Sequence, residues 1–278
     1  MHLALTNGRS LALGGVPLVM GIVNVTPDSF SDGGDFLTSE EAVAHGLRLA
    51  GEGAAILDIG GESTRPGHAP VTAQEERARV LPVIEGLVRQ TDVPISIDTM
   101  KASVAAAAVE AGAAIVNDVW GFQRDADMAR IVAEAGAPAI LMHNREKDDP
   151  AVDIVAEVVD FLSRSIDIAL AAGVRRDRLI IDPGFGFGKT HRQSLRLIRE
   201  LNRLQDFHLP ILIGVSRKRA IGQVTGRTEP RARLAGSLAA AMIGAENGAA
   251  IIRAHDVAPH VDAMKIFAAI GQHAGQAA

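Results

Sequence analysis

Eight apolar runs along the chain each stop at a side chain able to hydrogen-bond. The exits are Asn24, Glu62, Asp98, Asn117, His143, Asp182, Ser216, and then Arg253 with His255. A turn former or a helix cap would account for any single one; a polar residue after all eight runs asks for a common cause. The residues sort by chemistry. Asp98, Asn117 and Asp182 form an acceptor-rich set that suits the amino-pyrimidine edge of a flat heterocycle. Lys218, Arg253 and His255 form a cationic set that suits phosphate. Arg253 follows the apolar run AAII, whereas Arg217 and Arg219 read as solvated basic residues.

The densest stretch is Ile180 to Lys189, IIDPGFGFGK. An apolar run ends at Asp182, a Pro-Gly turn follows, and glycines alternating with Phe185 and Phe187 let the backbone approach a flat ligand closely. The spacing fits neither a Walker A loop nor GxGxxG. The nine histidines show no HExxH or other tight spacing, so a protein-caged zinc is not expected. Mg2+ held by a few oxygens and ligand phosphates is the metal these residues suit. The loops after the first two runs are long and aperiodic. VTPDSFSDGGDFLT carries Asp28, Phe30 and Asp32, and ESTRPGHAPVT carries Thr64, Arg65 and Pro66. Loops of this kind at a catalytic face are candidates for lids that exclude water.

These residues need a scaffold that aims eight chain segments at one place. After a lead (Met1 to Val16) read as a small hairpin around Gly14-Gly15, the strands are LVMGIVN, AILDIGG, PISIDT, AAIVNDV, PAILMH, LIIDPG, PILIGVS and AAIIRAH. Between and after them the pattern predicts helices over about 39–53 (capped by Ser39), 73–90, 101–111, 125–135, 152–172, 193–205, 231–247 and 258–270, with a basic turn before the seventh. Several helices end in Gly followed by Ala or Val, the C-cap expected before a strand. Such alternation predicts an α/β chain forming one single-domain (β/α)8 TIM barrel, residues 1–278 with the barrel over about 17–272. An open doubly wound sheet is the alternative, but its dinucleotide fingerprint after the first strand is missing. In such a barrel the catalytic face is built from the C-terminal strand ends. The loops after the last two strands commonly hold phosphate, and Lys218, Arg253 and His255 fall there.

Composition narrows the class further. Of 278 residues, 47% are hydrophobic but only 3% aromatic, with no Tyr and one Trp. The core is therefore Ala, Val, Ile and Leu, which suits parallel strands under helices. The absence of cysteine excludes a disulfide scaffold or thiolate metal site and fits a reducing compartment. A net charge of -5 argues against a nucleic-acid surface. No export leader and no 18-residue uncharged apolar run is seen, so a soluble cytoplasmic protein is expected, with no membrane partner.

Taken in order, MGIVNVTPDSFSDGG, DIGGESTRPG, SIDT, NDV, LMH, DPGFGFGK, GVSRK and IIRAHDV closely resemble the dihydropteroate synthase family of bacterial folate biosynthesis, over about residues 18–257. The first, second and sixth are long and specific. The resemblance implies a TIM-barrel transferase, commonly a homodimer and the target of sulfonamides. Its reaction joins 4-aminobenzoate to 6-hydroxymethyl-7,8-dihydropterin diphosphate and releases diphosphate. Carried over by position, it implies pterin binding by Asp98, Asn117, Met142, Asp182 and Lys218. Asn24, Thr64, Arg253 and His255 would hold the diphosphate, with Asn24 contacting Mg2+. Phe30, Pro66, Phe187, Ser216 and Lys218 would surround the aminobenzoate, and Asp32 and Arg65 lie on loops that close over the site. The implied catalytic group is Asp98, Lys218, Arg253, Asp32 and Arg65.

The chemistry of the residues agrees with that reaction. An arylamine is neutral at pH 7, so no strong base is needed to free its lone pair. Loss of diphosphate is the demanding event; cations stabilise the leaving charge, and carboxylates near the ring favour an electron-deficient carbon. A dissociative substitution is expected, with the aminobenzoate carboxylate at the N-terminus of the helix after Lys218. The chain departs from the family pattern at Arg219, where a serine is usual, and at Asn144-Arg145 after LMH. Two other readings differ in what they require. A corrinoid-type pterin methyltransferase has no use for the diphosphate set, and a non-catalytic pterin binder has no use for Lys218, Arg253 and the TPDSFSDGG loop together.

Overall fold

The structure is a computed structural model that describes residues 1–25, 38–63 and 70–274. The chain begins with an antiparallel hairpin, β1 (His2–Ala4) and β2 (Ser10–Ala12). Eight strands follow: β3 (Leu18–Asn24), β4 (Ile56–Gly60), β5 (Ile95–Asp98), β6 (Ile115–Asp118), β7 (Ala139–Met142), β8 (Leu179–Asp182), β9 (Ile211–Ile213) and β10 (Ala249–Ala254). They pair in chain order, all parallel, and β10 closes on β3. The expected TIM barrel is the observed fold.

The helices are α1 (Ser39–Gly51), α2 (Ala73–Val88), α3 (Ala102–Glu110), α4 (Met128–Ala135), α5 (Ile154–Ala171), α6 (His191–Arg199), α7 (Arg219–Thr225), α8 (Leu234–Glu246) and α9 (Val257–Ala274). Three start on capping boxes, Thr38 with Glu41, Thr72 with Glu75 and Thr190 with Gln193. In each, the hydroxyl accepts an orphan backbone N–H while the acid or amide side chain covers the cap's own N–H. β6, β7 and β8 are buried at every residue, as parallel strands covered on both faces must be.

The two-residue period of a strand explains how one barrel supplies both stability and chemistry. Met20, Ile56, Ile115, Ile140, Ile180, Leu212 and Ile251 lie in one fully buried cluster inside the barrel. Leu3, Leu5 and Leu13, from the hairpin and the chain just after it, belong to that cluster and close the N-terminal end. Full burial of such a side chain contributes about 1.5–3 kcal/mol, so this apolar floor stabilises the fold without help from the mouth. Two residues further along β4, β6, β7, β8 and β10, the same inner face carries Asp58, Asn117, Met142, Asp182 and Arg253. The polar set is therefore a layer stacked on the floor.

Several expectations need correction. The hairpin turns at Asn7-Gly8, where Gly8 has φ 78° and Leu5 N–H donates to Arg9 O, and not at Gly14-Gly15. Asn-Gly is a strong hairpin signal that the sequence reading passed over. The first helix is capped by Thr38 rather than Ser39. The fourth begins at Met128, after a turn in which Asp125 accepts the Ala102 N–H. The helix expected over 193–205 is α6 followed by a 3-10 stretch, Leu201–Phe207. The basic turn after β9 contains a ninth helix, α7.

Candidate active site

The centre of the barrel mouth is organised by a residue the sequence reading did not select. Asp58 sits on β4 between Ile56 and Gly60 and is fully buried. Its Oδ2 accepts a hydrogen bond from Arg253 Nε at 2.6 Å and another from Asn117 Nδ2 at 3.1 Å. The Arg253 Nη2 donates to Asp98 Oδ2 at 2.7 Å. One guanidinium is thus forked between carboxylates of adjacent strands, and its planar geometry fixes the direction of both bonds. Burial works against charge on Arg253, but Asp58 and Asp98 outweigh it and raise its pKa. Burial lifts the Asp98 carboxyl to about 7 against the pull of Arg253, with the charge of Asp58 adding to the rise.

Asp182 and Lys218 form the opposite wall. Asp182 ends β8, is 5% exposed, and accepts the Gly184 N–H at 2.7 Å. Burial raises its pKa, opposed by Lys218. Lys218 follows β9, and burial brings its ammonium down to about 7 although Asp182 and Asp98 favour the charge. Its Nζ donates to the Phe185 carbonyl and lies 4.3 Å from the centroid of the Phe187 ring, a cation–π contact. Acids with raised pKa facing a lysine with a lowered one are a recurring mark of functional clefts. Met142 lies beside Asp182 in the β7–β8 register and is 3% exposed. Two inward positions lack side chains altogether. Gly60 leaves open the space between Asn24 Oδ1 and the Asp98 carboxylate, and Gly214 that between Arg253 and Lys218.

The loop after β8 owes its shape to an internal cation. Lys189 is 9% exposed, and its Nζ reaches Gly184 O at 2.8 Å, Phe187 O at 2.9 Å and His143 Nδ1 at 2.7 Å. Three acceptors match the three donors of an ammonium, although burial pulls its pKa well below the ordinary lysine value. The loop folds so tightly that a Cβ on Gly184, which has φ 67°, would run into the His143 carbonyl. His143 is fully buried, and burial with the nearby Lys189 lowers its pKa to about 2. It is therefore a neutral acceptor inside the loop's support.

The structure brings together Asn24, Asp98, Asn117, Met142, Asp182, Phe187, Lys218 and Arg253. Ser216 and His255 join at the rim: Ser216 Oγ accepts the His255 N–H at 3.2 Å and lies 3.1 Å from His255 Nδ1. Two strand-end residues do other work. Glu62 pairs with Lys101, which also meets the buried Glu76, and accepts the Val71 N–H. His143 packs edge-on against Phe161. Arg217, read as solvated, is instead half-buried and ion-paired to Asp256. The helix that directly follows Lys218, where a carboxylate was expected at a helix N-terminus, is the unpredicted α7 of only seven residues. Asp28, Phe30, Asp32, Thr64, Arg65 and Pro66 lie outside the described residues. A carboxylate at an inward strand position beneath Glu62 was the available signal for Asp58; Lys189 offered none, because its partners are two backbone carbonyls and the ring of His143, 46 positions away.

A closed (β/α)8 barrel whose mouth holds buried acceptors against a lysine and an arginine is the architecture of a barrel enzyme, with donors and acceptors suited to a flat hydrogen-bonding ring bearing an anionic group. A family model described as pterin binding enzyme matches residues 20–255. The dihydropteroate synthase of Bacillus subtilis (strain 168) is 46% identical over 240 residues, 86% of this chain and 84% of that one. A Xanthomonas albilineans dihydropteroate synthase solved with 4-aminobenzoic acid is 51% identical with a TM-score of 0.93, covering 97% of this chain and 98% of that chain. The same organism's enzyme in complex with 7,8-dihydropteroate is 49% identical with a TM-score of 0.89, covering 98% and 99%. The chain belongs to the dihydropteroate synthase family of pterin-binding enzymes.

Proposed function

We propose that the chain condenses 6-hydroxymethyl-7,8-dihydropterin diphosphate with 4-aminobenzoate to give 7,8-dihydropteroate and diphosphate, by dissociative substitution at the pterin methylene. The observation that carries this reading is the fork of Arg253 between Asp58 and Asp98, beside Asn117. It sets a fixed cation next to a fixed row of acceptors, which is what a ring with a departing anion requires. Relatives solved with 4-aminobenzoic acid and with 7,8-dihydropteroate support the same two substrates here.

Asp98, Asn117 and Asp182 take the amino-pyrimidine edge of the pterin, with Met142 along the wall and Lys218 above the ring. The methylene C–O bond breaks and its electron pair leaves with diphosphate, whose charge Arg253 and His255, with Thr64, stabilise. The arylamine nitrogen then forms the C–N bond and loses its proton to water. Phe187, Ser216 and Lys218 enclose the aminobenzoate; by resemblance to the family, Phe30 and Pro66 are assigned to the same substrate, and Asp32 and Arg65 to the loops that cover it. Mg2+ fits this donor set as an ion carried chiefly by the substrate. Asn24 offers one hard oxygen near Asp98, while no cluster of three acidic or histidine side chains able to hold a metal occurs among the described residues. Bound there, Mg2+ would neutralise diphosphate charge.

A homodimer in the cytoplasm completes the proposal. Val224 on α7, Ile243 on α8, and Ile266 and Ile270 on α9 are exposed apolar side chains that a second copy would cover. No described helix is long and apolar enough to cross a membrane. The test is diphosphate release by the purified chain with pterin diphosphate and Mg2+, with and without 4-aminobenzoate. Release that depends on the arylamine is expected. Pterin binding without release would move the chain to a methyltransferase or a binding protein.

A further inference from the structure

We propose that Arg217 and Asp256 form a clamp that positions Ser216, Lys218 and His255 at the rim of the site. The inference rests on the transferase reading above, since these three residues matter to catalysis only under it. Ser216 and Lys218 both serve the mouth, so the residue between them must turn its side chain away. Arg217 does so in a left-handed backbone conformation, φ 59°, which costs energy in any residue with a Cβ. Something has to hold it there.

Both the backbone and the guanidinium of Arg217 are engaged in doing so. Its N–H donates to Ser237 Oγ at 2.9 Å, and its carbonyl accepts from Arg233 Nη1 at 2.8 Å. Its guanidinium grips Asp256 through two bonds, Nε to Oδ2 at 2.9 Å and Nη2 to Oδ1 at 2.5 Å. The two side chains are 25% and 20% exposed, so solvent screens this pair less than a surface ion pair. Asp256 directly follows His255, as Arg217 directly follows Ser216. Two consecutive contacts, Ser216 with His255 and Arg217 with Asp256, therefore zip the exit of β9 to the exit of β10. Lys218 is the next residue, and its reach to Phe185 and Phe187 starts from that fixed point. Arg217 and Asp256 touch no reacting atom in this account; they are positioning residues.

The test uses the full chain and three variants: Arg217→Gly, Asp256→Asn and the double substitution. Glycine keeps the left-handed backbone available and removes the side chain that carries the guanidinium, so it separates the clamp from the turn. Each single variant is expected to lose about tenfold in kcat/KM for 4-aminobenzoate, and the double to be no worse than either single, because both break one contact. Affinity for 6-hydroxymethyl-7,8-dihydropterin, which lacks the diphosphate, should fall by much less than tenfold, because Asp98, Asn117, Met142 and Asp182 lie outside the clamp and only Lys218 is shared with it. Wild-type kcat/KM in Arg217→Gly overturns the inference. So do losses that multiply in the double variant, or loss of pterin affinity in step with activity, which would mark a general folding role. If the wild-type chain shows no arylamine-dependent diphosphate release, the transferase reading itself fails and takes the clamp's role with it.

Discussion

Asp58 gives the sharpest perturbation. Its Oδ2 supports both Arg253 and Asn117, so Asp58→Asn removes the charge while keeping one carbonyl oxygen in place. A hydrogen bond to a charged group is worth about 1.5–3 kcal/mol. The retained oxygen keeps the loss near the lower end, about tenfold in kcat/KM for the pterin diphosphate. Asp58→Ala loses both bonds, about 3 kcal/mol or more, and should lose more than about a hundredfold. A second readout has a defined sign. The negative charge of Asp58 adds to the elevation of the Asp98 carboxyl, which burial brings to about 7. Removing that charge favours the ionised form of Asp98. The acid limb of the kcat/KM profile should therefore move to lower pH in Asp58→Asn, even as the plateau falls. The assay is initial-rate diphosphate release from pH 5 to 9. A wild-type plateau together with an unmoved acid limb would refute the view that Asp58 organises the mouth.

Lys189→Met should raise KM for 4-aminobenzoate more than for the pterin diphosphate, because the three acceptors that shape the loop under Phe187 lose their donor. It should also lower the melting temperature, since each stranded acceptor costs about 1–3 kcal/mol, partly offset by no longer burying a charge. For Lys218, the folded pKa of about 7 lies below the ordinary lysine value of 10.5, so between those values the unfolded chain holds a proton that the folded chain has released. Stability should rise with pH across that window, and urea unfolding of wild type against Lys218→Met at pH 6 and pH 9 should show the difference shrinking as pH rises.

Much of this was legible in the chain because parallel strands buried on both faces leave a plain apolar signal, and the two-residue period then fixes which neighbours share a face. Asp98, Asn117, Asp182 and Arg253 stand out as polar residues where such runs end. What escaped was set by contacts far apart in sequence. Asp58 and Arg253 are 195 positions apart, and neither announces the other. Glu62 and His143 have the same strand-end signature as Asp98, yet Lys101 and Lys189 draw them elsewhere. Arg217 lies in a run of basic residues that reads as solvated until Asp256 is brought against it by barrel closure. The α7 helix was missed because its seven residues are too few for an apolar period to show.

The measurement closest to the central claim is the rate of dihydropteroate formation by wild type, Asp98→Ala and Arg253→Ala under saturating Mg2+ and both substrates. Arg253 and Asp98 are joined at 2.7 Å in the middle of the mouth, and losing either should lower turnover by about a hundredfold or more. Wild-type turnover in both variants would contradict the account.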